Sequence, residues 1–293
     1  MQQELLIAIF TGLGAMLGWG FADFFAKKTI DQVGDLATLF WAQFIGIFPL
    51  AALFLLNSDI SNITFQKFDP FIIVLFGIVS AVSYDILYKA FGKGEVSILS
   101  PIFASYAGVV VLLSAFIFGE QIQALRWLAL GVIFIGILIT CIDPKSIMNS
   151  IKKTKQVKGL PEVLTALIIF SLWLVFWSNY VGDKSWIFIL FVRIAAAFTL
   201  LVMAHYKGIN LMVNNRKLWK FLIFIGIFDV MAFSLVSVGF SKTSYTSIIA
   251  MLSGAFSLPT IILAHVFLKE KATIIQTIGG LTIIAGIVFL SLN

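Results

Sequence analysis

Long uninterrupted apolar runs constrain the fold of this chain more than any motif. A helix needs roughly 17 to 25 apolar residues to cross the hydrocarbon core of a bilayer. Runs of that length occur at residues 5–26, 36–56, 70–91, 96–118, 122–142, 161–181, 185–205, 218–240, 244–267 and 272–291. Transmembrane strands would instead be short and would alternate in polarity. The sequence therefore predicts an all-α integral membrane protein with ten transmembrane helices, and membrane lipid as its surroundings.

The glycines of the stretch GLGAMLGWGFADFFAKK, residues 12–28, resemble a nucleotide-binding turn at first sight. The fingerprint of such turns is G-x-G-x-x-G, with a strand before it and a helix after it. Here the third glycine comes one residue late, and the flanks are continuous apolar sequence. Gly14 and Gly18 are four residues apart on one helical face, which favours close packing of another helix.

The chain contains an internal duplication. Residues 119–139 align with residues 269–289, which places Glu120 on Glu270 and Gly136 on Gly286, and a polar connection lies between the halves at residues 143–162. We therefore predict two domains, residues 1–150 and residues 151–293, with five helices each. Because five is an odd number, the second repeat enters the membrane the other way up. Inverted repeats of this kind place a transporter's substrate site near the bilayer midplane between the repeats.

With these features the chain resembles the EamA family of the drug/metabolite transporter superfamily. The resemblance rests on the duplicated plan, on GWGFADFFAKK in the first helix and on SLPTIILAHVFLKEKATIIQTIGGLTIIAG, residues 257–286, in the second repeat. The first repeat departs from that pattern, with Val109 in the place of Pro259 and Ala129 in the place of Gly279. The resemblance implies a secondary transporter of small organic molecules such as amino acids or sugars, often exported, without an ATP-binding domain.

Basic residues indicate the orientation in the membrane. Of the 20 Lys and Arg residues, fifteen lie in loops after odd-numbered spans, four lie in loops after even-numbered spans, and Arg193 lies within a span. Cytoplasmic loops are enriched in Lys and Arg, so we expect a plasma-membrane protein with both termini outside the cytoplasm. Membrane topology also explains the net charge of +6 better than nucleic-acid binding does.

Few residues suit metal or covalent chemistry. The chain has one cysteine, Cys141, and two histidines, which are too few to argue for a metal site. No nucleophile with its base and no paired acids are visible, so we expect neither a cofactor nor an enzyme. A non-transporting membrane sensor or a membrane-embedded enzyme remains the alternative class.

Charged residues inside the spans are of two kinds. Asp23 and Asp85 each precede a lysine by four residues, Lys27 and Lys89 respectively, so they form local pairs or act in proton coupling or gating. Arg193 and Asp229 lie near the middle of their helices among apolar neighbours. Either these two residues pair with each other for packing, or they line a cavity.

The predicted substrate site combines these two charges with aromatic walls and with polar positions of the first repeat. Gln43 and Ser80 are the repeat counterparts of Arg193 and Asp229. The aromatic candidates have packing as their alternative role. The full predicted set is Arg193, Asp229, Gln43, Trp19, Trp41, Tyr84, Tyr88, Trp173 and Trp177. The complementary charges of Arg193 and Asp229 favour a zwitterionic substrate, such as an amino acid or a related compound, over a sugar or a cationic drug. The coupling ion, with the proton as a candidate, and homo-oligomerisation stay open.

Two further features mark helix ends and helix interruptions. Glu120 and Glu270 lie at helix ends, where we expect them to cap or pair. Pro101 and Pro259 are expected to interrupt the fourth and ninth spans, because proline has no N–H to donate within a helix.

Overall fold

The computed structural model describes residues 2–56, 69–94, 96–140, 158–181, 185–268 and 273–292. These residues form twelve helices, and no strand occurs among them. The helices are α1 (Gln2–Val33), α2 (Asp35–Leu56), α3 (Pro70–Lys93), α4 (Val96–Ala104), α5 (Tyr106–Phe116), α6 (Ala124–Thr140), α7 (Leu160–Tyr180), α8 (Ser185–Tyr206), α9 (Arg216–Lys242), α10 (Thr246–Gly254), α11 (Ser257–Leu268) and α12 (Ile274–Ser291).

Ten membrane-crossing segments account for these helices. Within the described ranges, nine helical stretches are long and apolar enough to cross a membrane, and the shorter apolar helix α6 is the tenth. The helices α4 and α5 together form the fourth segment, and α10 and α11 form the ninth. The prediction of an all-α multi-pass membrane protein is confirmed. The predicted domain boundary at residue 150 lies outside the described residues.

The fourth and ninth segments are interrupted near the two prolines. The helix α4 contains Pro101 and ends before Ser105, whereas Pro259 lies in the first turn of α11. Since Pro259 has no N–H to donate to Ala255, the Ala255 carbonyl accepts from the backbone nitrogen of Leu258 at 3.0 Å. Backbone groups at the interruption therefore stay bonded inside the protein, as an apolar surrounding requires.

Helices of the first repeat pack on helices of the second in a reciprocal pattern. The helix α6 packs on α12, α2 packs on α8, and α5 packs on α10. In addition, α1 of the first repeat packs on α9 of the second, and α7 of the second repeat packs on α3 of the first. This reciprocal arrangement follows a pseudo-two-fold relation between the halves. It places α1, α2, α3, α7, α8 and α9 around the centre of the protein.

Glycines permit the closest of these contacts. A Cβ atom added at Gly18 would lie 2.8 Å from the Cβ of Ala232 on α9, and one added at Gly14 would lie 2.6 Å from Leu235. The predicted packing role of Gly14 and Gly18 is therefore confirmed. Gly136 on α6 is equally close to α12, where an added Cβ would lie 2.7 Å from the backbone nitrogen of Ile283.

Candidate functional site

The two midspan charges of the second repeat bind each other. Nη2 of Arg193, on α8, lies 2.6 Å from Oδ2 of Asp229, on α9. The Nη1 atom of the same guanidinium donates to Oε1 of Gln43, on α2, at 3.0 Å. Arg193 is only 4% exposed, and its Nε has no hydrogen-bond partner among the described residues. The pairing that the sequence left as one of two alternatives is therefore present.

Trp19 completes the coordination of Asp229. Its indole Nε1 donates to Oδ1 of Asp229 at 3.2 Å, so that both carboxylate oxygens accept a hydrogen bond. The four bonded side chains come from α1, α2, α8 and α9 and thus from both repeats. Gly46 is a member of this site that sequence reasoning missed. A Cβ atom at Gly46 would lie 2.6 Å from Nη1 of Arg193, so a side chain at this position would displace the guanidinium from its place beside α2.

A small cavity, here called the arginine cavity, adjoins this ion pair. Its volume is about 10 Å³, and its walls are Gln43, Ser80, Tyr84, Trp173, Val192, Arg193, Ala196, Asp229 and Phe233. That volume is at the lower limit of what one water molecule needs. Arg193 and Asp229 thus share the cavity with Gln43 and Ser80, their predicted counterparts in the first repeat. The duplication brings all four positions to one place.

A second cavity, here called the aromatic cavity, shares Tyr84 and Asp229 with the first. Its volume is about 20 Å³, and its walls are Trp19, Ala22, Asp23, Tyr84, Leu87, Tyr88, Phe103, Tyr106, Phe170, Asp229 and Phe256. Asp23 accepts a hydrogen bond from Oγ of Ser100, on α4, at 3.0 Å. Ser100 and Tyr106 were not predicted as site residues. Their only signal in the sequence is their position close to Pro101 in an interrupted helix.

Two predicted wall residues lie away from both cavities. Trp41 donates to the backbone oxygen of Leu211 at 2.7 Å and packs against Trp219. Trp177 is fully buried, donates to Oγ of Ser237 at 2.9 Å and stacks on Trp173. The structure therefore brings together the predicted residues Arg193, Asp229, Gln43, Trp19, Tyr84, Tyr88, Trp173 and Asp23, but not these two tryptophans.

Asp85 belongs to a separate cluster. It pairs with Lys89 as the spacing predicts, and Lys207, after the end of α8, lies 3.2 Å from the same carboxylate oxygen. The other oxygen, Oδ1, has no partner among the described residues. Asp85 thus joins the first repeat to the second away from the two cavities. The lysine predicted to pair with Asp23 is Lys27, whose side chain lies outside the described part of the structure.

Glu120 caps a helix, as its position predicts. Its carboxylate accepts from the backbone nitrogen of Ser247 at 3.0 Å and from Oγ of the same residue at 2.6 Å, at the start of α10. Burial raises the pKa of the Glu120 carboxyl, and the hydrogen bonds from Ser247 oppose that rise. Glu270, the repeat counterpart, lies outside the described residues.

The fold and the buried charges define a multi-pass membrane protein whose two repeats surround a central polar site. The sequence profile of the EamA-like transporter family matches residues 6–142 and 157–292. The chain therefore belongs to this family, within the drug/metabolite transporter superfamily, and is a membrane transporter of that type.

Comparison with solved structures supports the same fold. One protein of known crystal structure is 16% identical to this chain and superposes with a TM-score of 0.75. The match covers 97% of this chain and 96% of the other. No protein of curated function matches the sequence.

Proposed function

We propose that the protein is a secondary transporter that exports a small zwitterionic metabolite, an amino acid or a related compound, from the cell by alternating access. The observation that carries this proposal is the buried Arg193–Asp229 ion pair, which Gln43 and Trp19 of the first repeat also bind. Ionisable groups inside a membrane are costly and commonly belong to a transport pathway.

The chemistry of the pair suits a zwitterion. The forked guanidinium of Arg193 matches the geometry of a substrate carboxylate, and Asp229 can accept a substrate ammonium group. A zwitterion that binds both residues replaces the internal ion pair without leaving either charge uncompensated. An uncompensated buried charge would cost about 3–5 kcal/mol, so a sugar or a simple amine would make the same exchange less favourably.

Binding requires movement of the helices. The arginine cavity, at about 10 Å³, is far smaller than an amino acid, so the pair must separate before a substrate can bind. The pair joins α8 to α9, and Gln43 and Trp19 tie it to α2 and α1. Opening therefore involves contacts between the repeats. Asp23, beside the site, and Asp85, which binds Lys207 across the repeats, are our proposed coupling or gating residues.

Counterflow in proteoliposomes tests the proposal. We expect exchange of labelled amino acids, and we expect Arg193→Ala to abolish it at unchanged reconstitution. Glu162→Gln is a matched control, because Glu162 pairs with Lys93 in a more exposed contact between the repeats; this variant should retain exchange. Exchange of sugars or quaternary amines alone would contradict the substrate class. Amino acid exchange by Arg193→Ala at the wild-type rate would show that the pair only stabilises helix packing.

A further inference from the structure

The aromatic cavity contains a carboxylate that the zwitterion-binding pair does not use. Asp229 is already bonded by Arg193 and Trp19. Asp23 lines the aromatic cavity but not the arginine cavity, and it accepts a hydrogen bond from the Ser100 hydroxyl. The walls of the two adjoining cavities thus contain two carboxylates and one guanidinium.

The surroundings of Asp23 suit a small cation. Aromatic faces attract cations, and Trp19, Phe103 and Phe170 form part of the wall. Tyr84, Tyr88 and Tyr106 add hydroxyl groups, which can accept hydrogen bonds from an ammonium group. A cavity of this composition stabilises a positive charge through both its carboxylate and its aromatic rings.

Hydrogen-bonding capacity distinguishes among cations at this cavity. About 20 Å³ is more than one water molecule requires, and a primary ammonium group is close to water in size and in hydrogen-bonding capacity. A trimethylammonium group is much larger and has no N–H to donate. A primary ammonium group can therefore donate to Asp23 and to the tyrosine hydroxyls, whereas a quaternary one cannot.

We propose that the aromatic cavity is a binding site for a second ammonium group and that the transported substrate is a diamino monocarboxylic acid. Its carboxylate binds Arg193, its α-ammonium binds Asp229, and the primary ammonium at the end of its side chain binds Asp23. Such a substrate offers one carboxylate to the guanidinium and two ammonium groups to the two carboxylates of the cavity walls. The inference rests on the transport function proposed above and narrows its substrate class.

Competition counterflow distinguishes this inference from the broader proposal. Proteoliposomes containing the full chain are loaded with lysine or with leucine, and exchange is measured against labelled lysine, leucine and Nε-trimethyllysine. We expect the wild type to prefer lysine and to reject the trimethylated form. Asp23→Asn should raise the half-saturating lysine concentration, relative to that of leucine, by at least about tenfold, the usual scale of a lost hydrogen bond to a charged group, whatever its effect on the overall exchange rate.

Leucine exchange by Asp23→Asn, at any rate, also demonstrates that this variant is folded. Ser100→Ala provides a milder second variant, in which we expect lysine preference to fall while leucine exchange persists. Leucine exchange without lysine preference in the wild type would overturn the inference and leave amino acid transport intact. Unchanged lysine preference in Asp23→Asn would overturn the assignment of the site. Failure of every amino acid would refute the transport proposal together with the inference.

Discussion

The indole nitrogen of Trp19 lies 3.2 Å from Oδ1 of Asp229, although 210 positions separate the two residues in the sequence. The contact exists because α1 and α9 pack closely, with Gly18 against Ala232 just beside it. A larger residue at position 18 would push α1 away from α9. A helix-packing glycine therefore determines whether the first repeat can bind the acidic residue of the second.

Trp19→Phe tests this relationship. The variant retains an aromatic ring beside Tyr106 and Phe170 but loses the N–H that Asp229 accepts. A hydrogen bond to a charged group contributes about 1.5–3 kcal/mol, so we expect the half-saturating substrate concentration in counterflow to rise at least roughly tenfold. Trp41→Phe is the matched control, because it loses only a hydrogen bond to the distant Leu211 carbonyl. Equal effects of the two substitutions on substrate affinity would contradict the assignment.

The Arg193–Asp229 pair should behave as a coupled unit in stability measurements. Arg193→Ala leaves Asp229 buried without its cation, at a cost of about 3–5 kcal/mol. Adding Asp229→Ala removes the remaining charge and should restore much of the melting temperature in lipid nanodiscs. The more exposed Lys93–Glu162 pair should show a coupling of only about 0–1 kcal/mol in the same cycle. A double variant as unstable as the sum of the single variants would be inconsistent with this pairing.

Sequence reasoning predicted the spans well because the length of an apolar run is a local property. It also gave Asp229 as one possible partner of Arg193, since both are midspan charges without local neighbours. It could not show that Trp19, and not Trp41, lies at the site, because both tryptophans occupy long apolar helices. Only the packing of α1 on α9 brings Trp19 to Asp229. The contact of Asp85 with Lys207 spans 122 positions and has no local periodicity to reveal it.

Two glycines of α6, Gly131 and Gly136, should differ sharply in their tolerance of a methyl group. An added Cβ at Gly136 would lie 2.7 Å from the Ile283 backbone nitrogen of α12, whereas one at Gly131 would meet nothing within 4 Å. We therefore expect Gly136→Ala to lower the melting temperature by separating α6 from α12. Gly131→Ala on the same helix should be neutral or slightly stabilising, because alanine is the better helix former. Similar losses in both variants would rule out this explanation.

The basic residues predict that the segment after α8 is cytoplasmic and that the connection before α6 is extracytoplasmic. Asn214 and Gln121 are exposed residues of these two segments. On a Cys141→Ser background, an impermeant thiol reagent applied to intact cells should label Gln121→Cys and spare Asn214→Cys. Both introduced cysteines should react after the cells are permeabilised, which would show that each thiol is reactive once the reagent reaches it. The reverse labelling pattern would show that the protein has the opposite orientation in the membrane.

Glu120 should make stability depend on pH in a direction set by its raised pKa. Burial raises this pKa above the ordinary value of 4.5, so the folded protein binds the proton more tightly than the unfolded chain does. The resulting stabilisation is fully present below pH 4.5 and is lost as the pH rises through the pKa of the folded state. Glu120→Gln cannot titrate and still offers an oxygen to Ser247.

The melting temperature of the wild type minus that of Glu120→Gln should therefore fall as the pH is raised from about 4 to 8, a range that brackets the ordinary carboxyl pKa. Ser247→Ala tests the cause, because the Ser247 hydroxyl donates to Glu120 at 2.6 Å and so favours the ionised carboxylate. Without that hydroxyl the pKa should rise further, and the loss of stability should extend to higher pH. A difference that grows with rising pH would show instead that the hydrogen bonds from Ser247 outweigh burial.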